Sequence, residues 1–219
     1  MYGDAKKYRD AIYAKQAETV IANFKKRGIE GHYFADCASA NEWICGAIPK
    51  GSLVAYGGSV SVVDSGLAAE LRKLDITLLD RYKDGVTKEE TNEMRKRGVS
   101  ADVFVASCNA ITKDGKIVSQ DGLGNRVGGM IFGPEKVILM VGMNKLVNTV
   151  EEGMSRIKNV AAPMNCLRFD ADTACARTGF CDEANCFPPE RICGQLVVIE
   201  TSMVEGRLNV ALVGEDLGF

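Results

Sequence analysis

Residues 103–126 read Val-Phe-Val-Ala-Ser-Cys-Asn-Ala-Ile-Thr-Lys-Asp-Gly-Lys-Ile-Val-Ser-Gln-Asp-Gly-Leu-Gly-Asn-Arg. The segment opens on a short apolar strand, Val103 to Ala106, and leaves it through Ser107, Cys108 and Asn109, which place a hydroxyl, a thiol and an amide at one rim. Ala110-Ile111-Thr112 and Lys116-Ile117-Val118 then flank Lys113-Asp114-Gly115, a hairpin signal. A Gly-rich stretch, Asp121 to Arg126, follows.

On either side of this hairpin, strand and helix alternate. Upstream, helical spacing over Ala5 to Lys26 puts Tyr8, Ile12, Ala17, Val20, Ile21 and Phe24 on one face, with Gly28 as the stop. A strand over Ile29 to Ala35, a helix capped by Asp36 that ends before Pro49, and a strand over Ser52 to Tyr56 come next. Gly57-Gly58-Ser59 is the exit turn, followed by a helix from Gly66 to Leu74 and a strand from Ile76 to Leu79. Thr87 and Glu90 make a capping box for a polar helix to Arg97. Downstream, Lys136 to Val141 is a strongly apolar strand and Asn144 to Asn159 reads as one helix. Two strands, Leu196 to Glu200 and Leu208 to Val213, close the chain around a Glu205-Gly206 turn. The pattern predicts an α/β fold over residues 1–219 as a single domain: an open, largely parallel sheet with helices on both faces and an inserted hairpin.

Composition narrows the class. The 219 residues are 46% hydrophobic, enough for a substantial core without disulfides. A net charge of −2 gives little electrostatic footprint for nucleic acid. No apolar leader and no membrane span are read, so the expected location is cytoplasmic, where thiols stay reduced. The single histidine, His32, removes most His-based chemistry. There is no P-loop, and no nicotinamide or flavin fingerprint opens a helix.

In open α/β sheets ligands bind beyond the carboxyl ends of the strands, so the loops there are the candidates. Gly57-Gly58-Ser59 is an anion cradle or a plain turn. Asp121 to Arg126 combines a carboxylate, an amide and a guanidinium with two glycines; the alternative is a surface turn with Arg126 in solvent. Asn144-Lys145 is a site pair or a helix cap beside a solvated charge.

Of eight cysteines, Cys37, Cys45 and Cys108 are scattered and read as packing. Cys175, Cys181, Cys186 and Cys193 fall in one Pro-containing stretch of a Cys-rich loop over 166–193, with Cys166 close enough to substitute. Four thiolates suit zinc or an iron–sulfur cluster, but their intervals match neither paired zinc knuckles nor the ferredoxin run, so reduced structural thiols remain the alternative.

Taken in order, Gly-Gly-Ser at 57–59, Ala-Ser-Cys-Asn-Ala-Ile-Thr-Lys-Asp-Gly at 106–115, Asp-Gly-Leu-Gly-Asn-Arg-Val at 121–127, Phe-Gly-Pro-Glu-Lys-Val-Ile at 132–138 and Val-Gly-Met-Asn-Lys at 141–145 resemble the lactate-utilization (LUD) domain family. The Cys-rich tail resembles a short subgroup of it. The resemblance implies a fold related to the sugar-phosphate isomerase and CoA-transferase group, and a link to bacterial oxidation of lactate to pyruvate alongside iron–sulfur partner proteins. Carried over by motif, the ligand-binding positions are Gly57, Gly58, Ser59, Asn109, Thr112, Gly122, Gly124, Asn125, Arg126 and Asn144, with Asp121 and Lys145 as the acid/base candidates. The expected function is an enzyme or subunit of lactate or organic-acid utilization that binds a small anionic metabolite. The other reading is a non-catalytic metabolite-binding or regulatory protein with a structural metal site.

Overall fold

The computed structural model describes residues 4–219. Its strands are β1 (Glu30–Phe34), β2 (Leu53–Tyr56), β3 (Thr77–Leu79), β4 (Val103–Ala106), β5 (Ala110–Thr112), β6 (Ile117–Asp121), β7 (Lys136–Gly142), β8 (Leu146–Val147), β9 (Gln195–Ile199) and β10 (Leu208–Val213). The helices are α1 (Ala5–Lys26), α2 (Cys37–Gly46), α3 (Val60–Asp64), α4 (Leu67–Leu71), α5 (Lys88–Gly98), α6 (Asn125–Ile131), α7 (Val150–Arg156), α8 (Ala162–Arg168) and α9 (Ala174–Thr178).

Six strands form one parallel sheet in the order β1-β10-β7-β4-β2-β3. Side chains alternate across it, as a strand period of two requires. Phe104, Leu139 and Val210 join Val20 and Phe24 of α1 and Met130 of α6 on one face. Val105, Ile138 and Ala211 join Ile44 of α2 and Leu67 and Leu71 of α4 on the other. The central strands are buried on both sides, which explains the uninterrupted apolar runs at 103–106 and 137–141.

The hairpin forms, β5 antiparallel to β6, and it builds the middle of a second sheet, β8-β5-β6-β9. That sheet packs on the helices after β8 through Ala110, Val118, Ile157 and Ala162. The last two strands are therefore not a pair: β9 is an edge of the small sheet, whereas β10 lies inside the large one between β1 and β7. Hydrophobic runs mark both as strands but do not encode which neighbour each one finds.

Three local expectations need correction. The helix expected at Gly66 to Leu74 is the shorter α4, and a further single-turn helix, α3, precedes it directly after Ser59, whose hydroxyl accepts from Val62 N at 3.3 Å. The helix expected from Asn144 to Asn159 begins instead with a 3-10 turn over Met143–Lys145 and the strand β8, because Leu146 and Val147 pair with Ile111 and Thr112. Its helical part starts at the Thr149 cap and runs through a π-turn, Ile157–Ala161, into α8. In α1, Ala17, Val20 and Phe24 are buried, but Tyr8 and Ile12 on the same face are exposed, since that end has no sheet beneath it. The Thr87 and Glu90 capping box is present in both directions, at 3.1 and 2.8 Å.

Candidate functional site

After β2 the chain leaves toward β3, and after β4 it leaves toward β7 on the opposite side. Such a reversal opens a crevice beyond the carboxyl ends of two adjacent strands. A cleft of about 440 Å³ lies there, lined by Gly58, Ser59 and Ser61 after β2, Ser107 to Asn109 after β4, Asp121, Gly122, Asn125 and Arg126 around the start of α6, and Lys145 after β7.

Lys145 is 2% exposed. Its Nζ donates to Ser61 Oγ at 2.7 Å, to Ser107 Oγ at 3.2 Å and to the Cys108 carbonyl at 3.3 Å. Among the described residues no carboxylate forms an ion pair with it. Burial lowers its proton affinity, Arg156 and Arg126 push the same way, and the pKa falls to about 7. An amine that is part neutral at physiological pH is equipped for proton transfer.

Arg126 is not a free clamp. Its Nε donates to Asp121 Oδ1 at 2.9 Å, its Nη1 to the Ser107 carbonyl at 2.8 Å, and its Nη2 to Asn109 Oδ1 at 2.7 Å and the Gln120 carbonyl at 3.0 Å. Asp121 Oδ2 accepts from the backbone N–H groups of Arg126 and Val127, so its carboxylate also holds the first turn of α6. Asn109 Oδ1 further accepts from Gln120 N. These three side chains tie β4, β6 and α6 together at the cleft wall.

The two glycines of the first loop each seat an arginine. A Cβ on Gly57 would meet Arg126 Cγ at 3.2 Å, and one on Gly58 would stand 2.3 Å from Arg81 Nη2. Ser59, Gly122 and Asn125 also line the cleft. Gly57, Thr112, Gly124 and Asn144 do not. Thr112 serves the hairpin turn, where its hydroxyl meets Asp114 at 2.5 Å; Gly124 has φ +80° and opens α6. Asn144 Oδ1 accepts from Leu217 N at 3.1 Å, pinning the carboxyl-terminal tail. Sequence reasoning missed Ser61, Arg81 and Arg95 as lining residues. They lie on α3, after β3 and on α5, and their only advance signal was their place near strand ends.

Against the cleft lies a small pocket reached by Cys166, Cys175, Cys181, Cys186 and Cys193 together, and Cys193 lines both spaces. All eight cysteines are free thiols. Cys175 Sγ lies 3.6 Å from Cys166 Sγ. Two thiolates bound to one tetrahedral zinc, each about 2.3 Å from it, stand about 3.8 Å apart. Among the described residues no three Cys, His or carboxylate groups stand together at metal-ligating spacing. The donor chemistry thus fits a thiophilic metal, while the geometry brings Cys166 and Cys175 to ligand separation without a third donor beside them among the described residues. Cys108 is core on one face of the large sheet, Cys45 packs half-buried against the core of the other, and Cys37 Sγ donates to Glu215 at 2.7 Å. His32 packs tilted against Trp43, ring centroids 4.3 Å apart, and does not line the cleft.

The LUD domain model matches residues 17–213, nearly the whole chain. The chain belongs to the LUD domain family. A solved structure with a similar chain trace is a DUF162 family protein from Deinococcus radiodurans, at 17% identity and a TM-score of 0.48, covering 93% of this chain and 98% of that one. No curated protein matches. Membership of the LUD family carries a lactate-utilization-related role, and the parallel sheet flanked by helices is the α/β architecture read from the strand and helix alternation. No helix among the described residues of this LUD domain is long and apolar enough to cross a membrane.

Proposed function

We propose that this LUD-domain protein is an enzyme, or the substrate-binding subunit of one, in lactate or related organic-acid utilization, and that its strand-end cleft binds a small anionic metabolite. The observation that carries the reading is Lys145: a buried amine with a pKa near 7, held by two hydroxyls at the floor of a polar cleft. A general base must be within hydrogen-bond reach of the proton it takes, and only a group with a pKa near the working pH is both deprotonated and basic enough. In this reading Lys145 takes the hydroxyl proton of a 2-hydroxy acid. Asp121, both of whose oxygens are engaged, holds Arg126 and α6 in place.

Oxidation of a 2-hydroxy acid to a 2-keto acid removes two electrons and two protons. Lys145 accounts for the hydroxyl proton; the Cα hydrogen leaves with its electron pair to a two-electron acceptor supplied by a redox partner protein. Cys175, Cys181, Cys186 and Cys193, with Cys166 as a substitute, would hold zinc or an iron–sulfur cluster; only a cluster would supply one-electron transfer, to or from an iron–sulfur partner protein.

Calorimetric titration of lactate and of pyruvate into anaerobically purified protein, with iron, sulfide and zinc determined on the same sample, tests both parts. Binding that weakens in Lys145→Met, with iron present, is the expected result. Failure of both acids to bind overturns the cleft reading. Stoichiometric zinc with no iron overturns the on-chain redox centre, and binding with no turnover in the presence of an electron acceptor overturns the enzyme reading in favour of a metabolite-binding regulator.

A further inference from the structure

Two half-buried guanidinium groups of the cleft lack the partners that Arg126 and Arg207 have. Arg126 and Arg207 are held by carboxylate or backbone carbonyl oxygens. Arg81 donates only to Tyr82 Oη, at 3.1 Å, and Arg95 only to Asn92 Oδ1, at 2.8 Å. The Nε of each is buried without a hydrogen-bond partner. Neither forms an ion pair among the described residues. Both line the strand-end cleft and, with Asn125, the small hollow behind it. An unsatisfied buried donor is costly, and two like charges near each other without a counter-ion add repulsion. Burial and the Arg81 charge accordingly both lower the proton affinity of Arg95.

We propose that Arg81 and Arg95 form a subsite for a dianionic oxyanion, the phosphate group of a phosphorylated small organic acid. A carboxylate brings one charge and two oxygens. A phosphate monoester brings close to two charges and three terminal oxygens, which matches two guanidinium forks. Tyr82 Oη accepts from Arg81, so its own hydrogen remains to be donated. Gly58 supplies the room: any side chain there would displace the Arg81 guanidinium. Asp121 is the one acidic side chain of the cleft lining among the described residues, and Arg126 already pairs with it. The proposal rests on the cleft being the ligand site and names the class of ligand it takes.

The test is calorimetric titration of inorganic phosphate, against sodium acetate at matched ionic strength, into wild type, Arg81→Ala, Arg95→Ala and Arg97→Ala, each checked for folding by circular dichroism. Arg97 is exposed and lies outside the cleft, so it reports non-specific charge. Phosphate is expected to bind wild type and Arg97→Ala equally, to lose roughly 10- to 100-fold in affinity in each of the other two, and to exceed acetate by at least about tenfold. If either alanine variant fails to fold, Arg81→Lys and Arg95→Lys replace it and are expected to weaken phosphate through loss of the fork. No phosphate binding, equal loss in Arg97→Ala, or no loss at Arg81 and Arg95 overturns the subsite. Lactate binding that depends on Lys145 while phosphate fails leaves the cleft reading standing without the subsite.

Discussion

Lys145 and Ser61 are 84 positions apart in sequence, yet Nζ donates to Oγ at 2.7 Å where the ends of β7 and α3 converge. The contact encloses a charge-bearing group in a place where charge is disfavoured, and this sets a pH dependence. The pKa of Lys145 falls from 10.5 to about 7 on folding, so between those values the unfolded chain binds more protons and stability rises with pH. Urea unfolding of wild type and Lys145→Met from pH 6 to 9.5 is expected to show a difference in unfolding free energy that grows in favour of wild type by up to about 1.4 kcal/mol per pH unit above pH 7. A pH-independent difference would mean that Lys145 keeps its proton throughout.

Arg126 and Asp121 form an ion pair that is only about one-tenth exposed on either side. Removing one partner of a buried pair leaves the other uncompensated. Arg126→Ala and Asp121→Asn are therefore each expected to cost about 3–5 kcal/mol in chemical denaturation, with the double variant well short of additive. A loss below about 1 kcal/mol would return Arg126 to the role of a solvated surface residue.

Gly58→Ala tests the seating of Arg81. The new Cβ would stand 2.3 Å from Nη2, the movable end of a side chain, so the fold is expected to change by less than about 1 kcal/mol. Inorganic phosphate affinity is expected to drop roughly tenfold as the guanidinium is pushed aside. Unchanged affinity with an unchanged Tm would show that Arg81 reaches the anion from another rotamer or not at all.

The cysteine pocket predicts a pattern of protection. Adding zinc to reduced, anaerobic protein is expected to shield four thiols from a thiol reagent, and Cys166→Ser or Cys175→Ser to abolish most of that shielding, since these two stand at ligand separation. Cys45→Ser, whose thiol packs against the core elsewhere, is expected to leave it intact. Equal labelling with and without zinc would leave the five cysteines as packing.

Much of the fold follows from local pattern. The apolar runs at 103–106 and 137–141, the capping box at Thr87 and Glu90 and the hairpin around Asp114-Gly115 act over a few residues, where backbone geometry and side-chain period decide the element. The strand-end loops also point to the cleft, because a parallel sheet gathers the exits of its strands along one edge.

Roles within those loops depend on distance in space. The spacing of Asp121-Gly-Leu-Gly-Asn-Arg126 leaves open a binding loop or a turn, and only the folded chain shows Arg126 consumed by the Ser107 carbonyl and Asn109 while Arg81 and Arg95 remain unmatched. The same holds for Lys145, whose local context, a short stretch after a strand, matches a solvated helix cap. Its burial comes from α3 and the loop after β4 closing over it. Composition and spacing settle which elements form and where ligands gather, since those are short-range consequences of the chain. Hydrogen-bond partners, desolvation and the resulting proton affinities are long-range, and only the packing of β2, β4 and β7 side by side decides them.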